Sequence, residues 1–274
     1  MSESDRRIQA SFIILQCHSV SMIDSGSQIE SINTMFKVVE ALDDLHGAGI
    51  TELADHLDMP KSTVHSHIST LLCNEFVVKN NDKYYVGMKF FEIGNRQRSR
   101  LKLYRIAHPH VRDLAIKSGE LVGLAIEEHS YGVLLHIVKG ENAIQYDMYS
   151  GLRTPLHATS TGKAILAHLP SDDISEIVEL RGLDPITPHT ITSQEELDLE
   201  LESIREKGYS LHRGEHREGV FGVAVPIMNE EYEVLGSLGI SGPMSRLQQQ
   251  DIEEELIQPL KHIVNIIEVD LRYS

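Results

Sequence analysis

Residues 49–86 read GITELADHLDMPKSTVHSHISTLLCNEFVVKNNDKYYV. Gly49 to Leu57 has the length of a short helix, with Thr51 as its expected N-cap and Ala54 facing inward. Asp58, Met59 and Pro60 make a turn, and a proline at a helix start sacrifices no hydrogen bond. Beyond it Val64, Ile68, Leu71 and Leu72 fall at i, i+4, i+7 and i+8, which is the apolar stripe of a helix. Phe76 to Lys79 and Lys83 to Val86 are rich in strand formers and are separated by Asn80, Asn81 and Asp82, so they pair as a hairpin. Upstream, Ile32 to Leu45 puts Met35, Val38, Val39 and Leu42 on one helical face before His46 and Gly47 end it. Three helices followed by a two-stranded wing constitute a winged helix-turn-helix whose third helix is shaped for a major groove.

The outward positions of that third helix are Lys61, Ser62, Thr63, His65, Ser66, Ser69 and Thr70, short hydrogen-bonding side chains with one cation. Such a face can lie close to base edges and phosphates, and Lys79, Asn80, Asn81 and Lys83 of the wing can reach a neighbouring phosphate or the minor groove. The competing reading is a three-helix bundle with a solvated polar face. Charge favours the first: Met59 to Phe90 carries Lys61, Lys79, Lys83 and Lys89 against Glu75 and Asp82, in a chain that is otherwise acidic.

Further along, Gly87 to Ser118 returns to helical periodicity, with Pro109 expected to kink or restart it. Three strands are expected at Leu121–Glu127, Val133–Lys139 and Ala143–Tyr149. Helices follow at Thr161–Leu169, Ser171–Leu180 and Gln194–Lys207, then strands at Tyr209–His212, Gly222–Ile227 and Val234–Ile240. A long amphipathic helix, Leu247–Leu271, closes the chain. The order makes an α+β domain around an antiparallel sheet. The expected divisions are 1–27, an arm without fixed structure or an over-extended start; 28–87, the winged helix-turn-helix; 88–118, linker helices; and 119–274, a second domain.

The 274 residues carry a net charge of -16, of which -12 falls after Arg98. That argues against a surface built throughout to bind a polyanion and leaves room for a local basic patch. The acid excess and the absence of tryptophan resemble a protein from the high-salt cytoplasm of a haloarchaeon, a balance that ordinary acidic proteins also reach. Two cysteines, Cys17 and Cys73, form neither a disulfide framework nor a CxxC zinc site, which fits a reducing cytoplasm. The apolar run Ile8–Ile23 is interrupted by Gln9, Ser11, Gln16, Cys17 and His18, so neither a signal peptide nor a membrane anchor is expected.

From about Ile29 onward the chain resembles the isocitrate lyase regulator (IclR) family of transcription factors. The stretches that carry the resemblance are ITELADHLDMPKSTVHSHISTLL, YYVGMKFFEIG, PLHATSTGKAILAHL, SIREKGYSLHRGEHREGVFGVAVPI and LGISGPMSRL, in family order and spacing. The resemblance implies a winged helix-turn-helix, a linker helix and a GAF-like α/β effector-binding domain, assembled as a homodimer or homotetramer on double-stranded operator DNA. It also implies a repressor, ahead of an activator, that senses a small organic, sugar or aromatic acid. The linker helix Met88–Arg100 would convey effector binding as a change in separation of paired reading heads, about 34 to 36 Å apart.

One pocket wall in such proteins is the segment that reads TSTGKA here. Gly162 permits a tight helix entry at which backbone N–H groups and the hydroxyls of Thr159, Ser160 and Thr161 suit a carboxylate. It is not a phosphate loop, since His157 stands where a glycine is needed and Ala164 where a hydroxyl is needed. The alternative is a capped helix with Lys163 at the surface. The second wall corresponds to His212, Gly222, Gly239 and Ser241, where the family often has an acid at the first position and a serine at the third. The glycines at 222 and 239 are expected to enlarge the cavity, and His212 to favour an anion, more so at low pH.

His212 and His216 flank Glu215, yet two imidazoles lack a third ligand, so no metal or cofactor is expected, and Glu215 should tie down its loop. No GxSxG, HExxH or GxGxxG occurs, and Cys73 is expected on the apolar side or at the end of the third helix, so no catalytic residue is assigned. Two rival classes remain: a metabolic or ligand-binding protein that uses its helix-turn-helix for protein contact, and a purely architectural DNA binder without effector response.

Overall fold

The structure is a computed structural model that describes residues 28–273 apart from 145, 146 and 250. The arm expected at 1–27, with Cys17, lies outside the described residues. The described chain divides into two compact units, which meet in sequence between Arg98 and Ser99.

In the first unit, helices α1 (Glu30–Asp44), α2 (Ile50–Leu57) and α3 (Lys61–Cys73) precede strands β1 (Val77–Asn80) and β2 (Lys83–Val86). Val38, Ala41 and Leu42 of α1, Leu53 and Ala54 of α2, and Val64, Ile68 and Leu71 of α3 close one core with Val77. Each large aliphatic side chain buried there stabilises the unit by roughly 1.5–3 kcal/mol. Gly47 ends α1 at φ +96°, and a Cβ there would run into the Tyr85 ring, so both backbone and packing require glycine. Ala48 then exchanges backbone hydrogen bonds with Tyr84 at 3.0 and 2.9 Å, which pins the wing to the α1–α2 connection. Two expectations fail here. The N-cap of α2 is Gly49, whose N–H donates to Glu52, and Thr51 sits inside the helix. Leu72, expected on the apolar stripe, is exposed because the core is filled by Leu71, whereas Cys73 is the last residue of α3, at the helix end as one alternative had it, and is exposed.

Helices α4 (Lys89–Arg100) and α5 (Lys102–Ser118) follow. The break falls at Leu101, which is extended (φ -65°, ψ 123°), while Pro109 sits inside α5. Proline removes the N–H that would have bonded the Arg105 carbonyl, and His108 Nδ1 supplies a substitute donor at 3.1 Å.

The second unit holds a six-stranded, wholly antiparallel sheet in the order β5-β4-β3-β8-β7-β6. Its strands are β3 (Leu121–Glu128), β4 (Tyr131–Lys139), β5 (Arg153–Thr154), β6 (Ser210–Arg213), β7 (Val220–Met228) and β8 (Val234–Pro243). Residues 143, 144 and 147–149 form no strand. The edge of β4 is already occupied: Leu134 N–H donates to the Leu152 carbonyl at 3.0 Å, and Gly151 N–H to the Leu134 carbonyl at 2.7 Å.

Alternation along the strands sorts the sheet into two unlike faces. Val122, Leu124, Phe221, Val223, Val225, Ile227, Leu238 and Ile240 pack with Leu103, Val111 and Leu114 of α5 and with Leu260, Val264 and Ile267 of α10 (Gln258–Tyr273). The opposite face carries small residues in register: Gly123 faces Gly239, which faces Ala224, and Leu121 faces Ser241, which faces Gly222. Against that face lies α6 (Ser160–Leu166), backed by α7 (Ser171–Arg181) and α8 (Gln194–Lys207) in a second cluster with Ile165, Leu166, Leu197 and Leu201. The expected helix Leu247–Leu271 is interrupted. A short helix α9 (Met244–Leu247) and a π-helical turn (Ile252–Ile257) precede α10, because Asp251 adopts an extended conformation and its side chain accepts from the Glu254 N–H.

Candidate functional site

In the first unit, α3 turns Val64, Ile68 and Leu71 inward and leaves Lys61, Ser62, His65, Ser66, Ser69 and Thr70 exposed, with Thr63 half-buried. Ser66 and Thr70 donate their hydroxyl protons to the carbonyls four residues back, Ser62 and Ser66, at 2.9 Å each. Their oxygens therefore face outward as acceptors. Lys79, Asn80, Asn81 and Lys83 are exposed on the wing. The two wing lysines differ: Lys79 lies over the Tyr84 ring at 5.4 Å, whereas Lys83 reaches Glu52 at 3.5 Å and the Gly47 carbonyl at 3.4 Å.

In the second unit a cavity of about 50 Å³ lies between α6 and the small-residue face of the sheet. Room for one water centre needs roughly 10–15 Å³, so several atoms of a small ligand fit without rearrangement. Six of the eight expected effector residues line it: Thr159, Ser160, Thr161, His212, Gly239 and Ser241. Gly162 and Gly222 do not. Gly162 lets α6 approach the turn before it, since a Cβ would stand 2.3 Å from the Leu156 carbonyl oxygen, and its N–H is capped by Thr159 Oγ1 at 3.0 Å. Gly222 lies against the Ser160 hydroxyl, which a Cβ would meet at 3.1 Å, so this glycine sets packing and does not enlarge the cavity. At Gly239 a Cβ would meet Thr161 Cγ2 at 2.9 Å.

The sequence reading missed the apolar wall of Leu121, Leu134, Ile137, Met148 and Val220, and the polar Thr154 and Arg217. The signal for the wall is the large-and-small alternation of the strands. Among the described residues no aspartate or glutamate lines the cavity, and Arg217, exposed at its edge, gives it a cation.

Behind the lining sits a charged cluster. Lys163, expected at the surface in one reading, is 1% exposed, and its Nζ stands 2.8 Å from Glu200 Oε1 and 2.8 Å from Glu215 Oε1. All but one residue of α6 is buried, so the helix has no polar face on which a lysine could sit in water. Burial pushes the Glu215 carboxyl up, but Lys163, by charge and hydrogen bond, brings it below the ordinary carboxylate value. Glu215 also accepts from the Arg213 N–H, and its carbonyl accepts from Thr187 and Thr190, so it ties down the loop that carries His212 and His216. His212 is pushed down to about 4, chiefly by burial, with Glu215 opposing and Lys163 adding to the shift. The ring is therefore neutral near pH 7, and the greater favour to an anion expected at low pH is confined to strongly acidic conditions. His157 and His216 are also lowered, each first by burial. Among the described residues no group of three or more His, Cys, Asp or Glu is arranged to hold a metal ion.

Residues 96–269 match the family described as bacterial transcriptional regulator IclR C-terminal, and residues 35–81 match the IclR helix-turn-helix domain. The chain belongs to the IclR family. It is a transcriptional regulator of that family, with an N-terminal helix-turn-helix and a C-terminal α/β domain of the ligand-binding kind. Among its relatives, the HTH-type transcriptional regulator KdgR of Dickeya chrysanthemi is 32% identical, over 86% of this chain and 79% of that one. The transcriptional repressor IclR of Escherichia coli is 29% identical, over 86% and 88%. A probable HTH-type regulator ArcR of Halobacterium salinarum is 29% identical, over 89% and 94%. In structure the chain is similar to an IclR homolog from Microbacterium hydrocarbonoxydans complexed with 4-hydroxybenzoate, with a TM-score of 0.73 and 25% identity over 88% of this chain and 100% of that one. These relatives are regulators and not enzymes. Among the described residues no helix is long and apolar enough to cross a membrane.

Proposed function

We propose that this IclR-family regulator is a repressor that binds a small organic, sugar or aromatic acid in the cavity under α6 and releases operator DNA in response. The observation that carries the reading is the composition of the cavity: beside its apolar wall, its polar groups are hydroxyls, imidazoles and one guanidinium, with no carboxylate among the described residues that line it. An anion is the partner that such a lining compensates. In this reading Thr159, Ser160, Thr161, His212, Ser241 and Arg217 contact the effector, and Gly162, Gly222 and Gly239 set the space around it.

The DNA-contacting residues in this reading are Lys61, Ser62, Thr63, His65, Ser66, Ser69 and Thr70 of α3 with Lys79, Asn80 and Asn81 of the wing. Lys83 of the wing belongs to the same set, and its reach to Glu52 and the Gly47 carbonyl also braces the wing. The working divisions are 28–87 for DNA binding, 88–118 for linkage and 119–274 for sensing. A homodimer or homotetramer on a palindromic operator follows from pairing two reading helices. The reading extends to a cytoplasmic protein without catalytic turnover, and to a high-salt haloarchaeal cell. The net charge of -16 and the Halobacterium relative support that last point.

The test is binding of the purified chain to DNA spanning its own promoter, across a salt series, with and without a panel of acids. Specific binding weakened by one acid supports the proposal. Specific binding that no acid moves leaves an architectural DNA binder, and no specific binding at any salt rejects DNA recognition.

A further inference from the structure

Helix α3 ends in a turn that carries two costs. Asn74 is its C-cap, the Glu75 N–H donates to the Leu72 carbonyl at 3.0 Å, and the Phe76 N–H donates to the Leu71 carbonyl at 2.9 Å. This is the bonding pattern of a Schellman motif, in which the residue after the cap is left-handed and usually glycine. Here that residue is Glu75, at φ +66°, a conformation that a side chain disfavours. The second cost is electrostatic, since the last turn of α3 holds no basic residue to complement the negative end of the helix dipole.

Both costs are offset from the first turn of α4. Lys89 Nζ donates to the Asn74 carbonyl at 2.9 Å, stands 3.3 Å from Glu75 Oε2 and lies over the Phe76 ring at 5.3 Å. The Phe90 ring packs on that same Phe76 ring, with centroids 4.7 Å apart. Lys89 thus supplies the cation that α3 lacks and pairs with the carboxylate at the left-handed position. Of the five lysines in 28–98 it alone is half-buried, whereas Lys37, Lys61, Lys79 and Lys83 are exposed. An ammonium engaged by a carbonyl, a carboxylate and a ring is not placed to follow a phosphate. Helix α4 buries none of its own residues, so its direction relative to α3 is set by this first turn.

Resting on the reading that α3 enters the operator, we propose that Lys89 is a positioning residue for base recognition: it ties the C-terminal end of α3 to α4 and fixes the angle at which the reading face meets the groove. Base-edge hydrogen bonds demand a defined pose, whereas phosphate contacts carry no sequence information. Releasing the tie therefore costs discrimination and leaves the salt-dependent part of the affinity in place.

The test uses the full chain and two duplexes: the segment of its own promoter that it retains at the highest salt, and a shuffled duplex of the same composition. Affinity for each is measured by fluorescence anisotropy across a salt series, with melting temperature alongside. Lys89→Met keeps the packing on Phe76 and removes the charge and the donor. It should lower the ratio of promoter to shuffled affinity about tenfold, with the salt slope on either duplex unchanged, and lower the melting temperature. Lys89→Arg, which can still donate to Asn74 and pair with Glu75, should keep the ratio within about threefold. Glu75→Gly relieves the left-handed residue and leaves the bond to Asn74, so it should also keep the ratio. The variant carrying both Lys89→Met and Glu75→Gly separates positioning from stability: its melting temperature should return toward that of the parent while the ratio stays low. An unchanged ratio in Lys89→Met overturns the proposal, as does a ratio that recovers together with the melting temperature in the double variant. An equal loss on both duplexes, with the slope reduced by about 0.9, would make Lys89 a phosphate contact instead. In each of these cases the reading of α3 stands. A parent chain that does not distinguish the two duplexes at any salt removes that reading and this proposal with it.

Discussion

Lys163 is the residue on which the sensor unit depends most visibly, since one ammonium at 1% exposure pairs with two carboxylates on separate elements. Removing it leaves Glu215 buried without a counter-charge, and loss of one partner from such a cluster costs about 3 kcal/mol or more. Lys163→Met should lower the urea midpoint accordingly, and Lys163→Met with Glu215→Gln should recover at least half of the loss. Equal midpoints in the single and double variants would show that the pair is not the anchor. Acid should act through the imidazoles beside it. An unfolded histidine takes up a proton near its ordinary 6.5, whereas His212, buried against Glu215, Lys163 and His216, resists until about 4. Between those values the unfolded chain binds the extra proton, so stability is complete above about pH 7, falls as pH drops through 6.5, and levels off near 4. His157, His168 and His216, lowered by burial, act in the same direction, and Glu127 and Glu268, raised by burial, oppose them. His212→Gln should reduce the loss between pH 7 and 4 by on the order of 3 kcal/mol. Denaturation curves that shift in parallel with the parent across this range would exclude His212 as the source.

At the scale of elements, α6 is held by what it touches. Ser237 Oγ donates to the Thr161 carbonyl at 2.9 Å, Ser210 Oγ donates to that of Ser160, and Leu156 leaves no room for a side chain at Gly162. Gly162→Ala should therefore push the helix off its turn, costing about 1–3 kcal/mol and loosening the cavity, with melting temperature and acid affinity falling together. Retained affinity at a lowered melting temperature would detach the cavity from the seat of this helix. On α3, Lys61→Ala should reduce the slope of log affinity against log salt by about 0.9, and Lys83→Ala by less, because Glu52 already offsets that charge. The helix-turn-helix was legible because its apolar residues repeat at helical spacing and Pro60 marks a start. The sheet edge was not: 143–149 has the alternation of a strand, and only the tertiary fold reveals that Gly151 to Thr154 already takes the hydrogen bonds of β4. Lys163 and the break after Leu247 were hidden for a related reason, since a buried ion pair and a capping aspartate are set by distant or non-periodic partners.

Across the whole molecule, charge and cores are unevenly divided. Residues 28–98 carry 10 acids against 7 bases, while 99–274 carry 28 against 16, and each unit closes its own apolar clusters. Like charge destabilises a compact state by self-repulsion, and salt relieves it. Raising ionic strength from 0.1 to 1 M shortens the screening length from about 10 Å to about 3 Å, so the more acidic unit should gain more. Calorimetry of the full chain should show two transitions, of which the one belonging to 99–274 rises more steeply with salt and is the one that moves when an acid binds. The same salt weakens phosphate contacts, and the ten acids beside the lysines of 28–98 offer no compensation. In the proposed reading, base contacts from His65 and Ser66 then supply more of the affinity at high salt, and His65→Ala or Ser66→Ala should reduce operator discrimination by roughly 1–3 kcal/mol with little change in salt slope. Transitions that rise equally with salt would show that charge self-repulsion does not distinguish the units. A His65 or Ser66 variant that altered the slope and left discrimination intact would move that residue from base reading to phosphate contact.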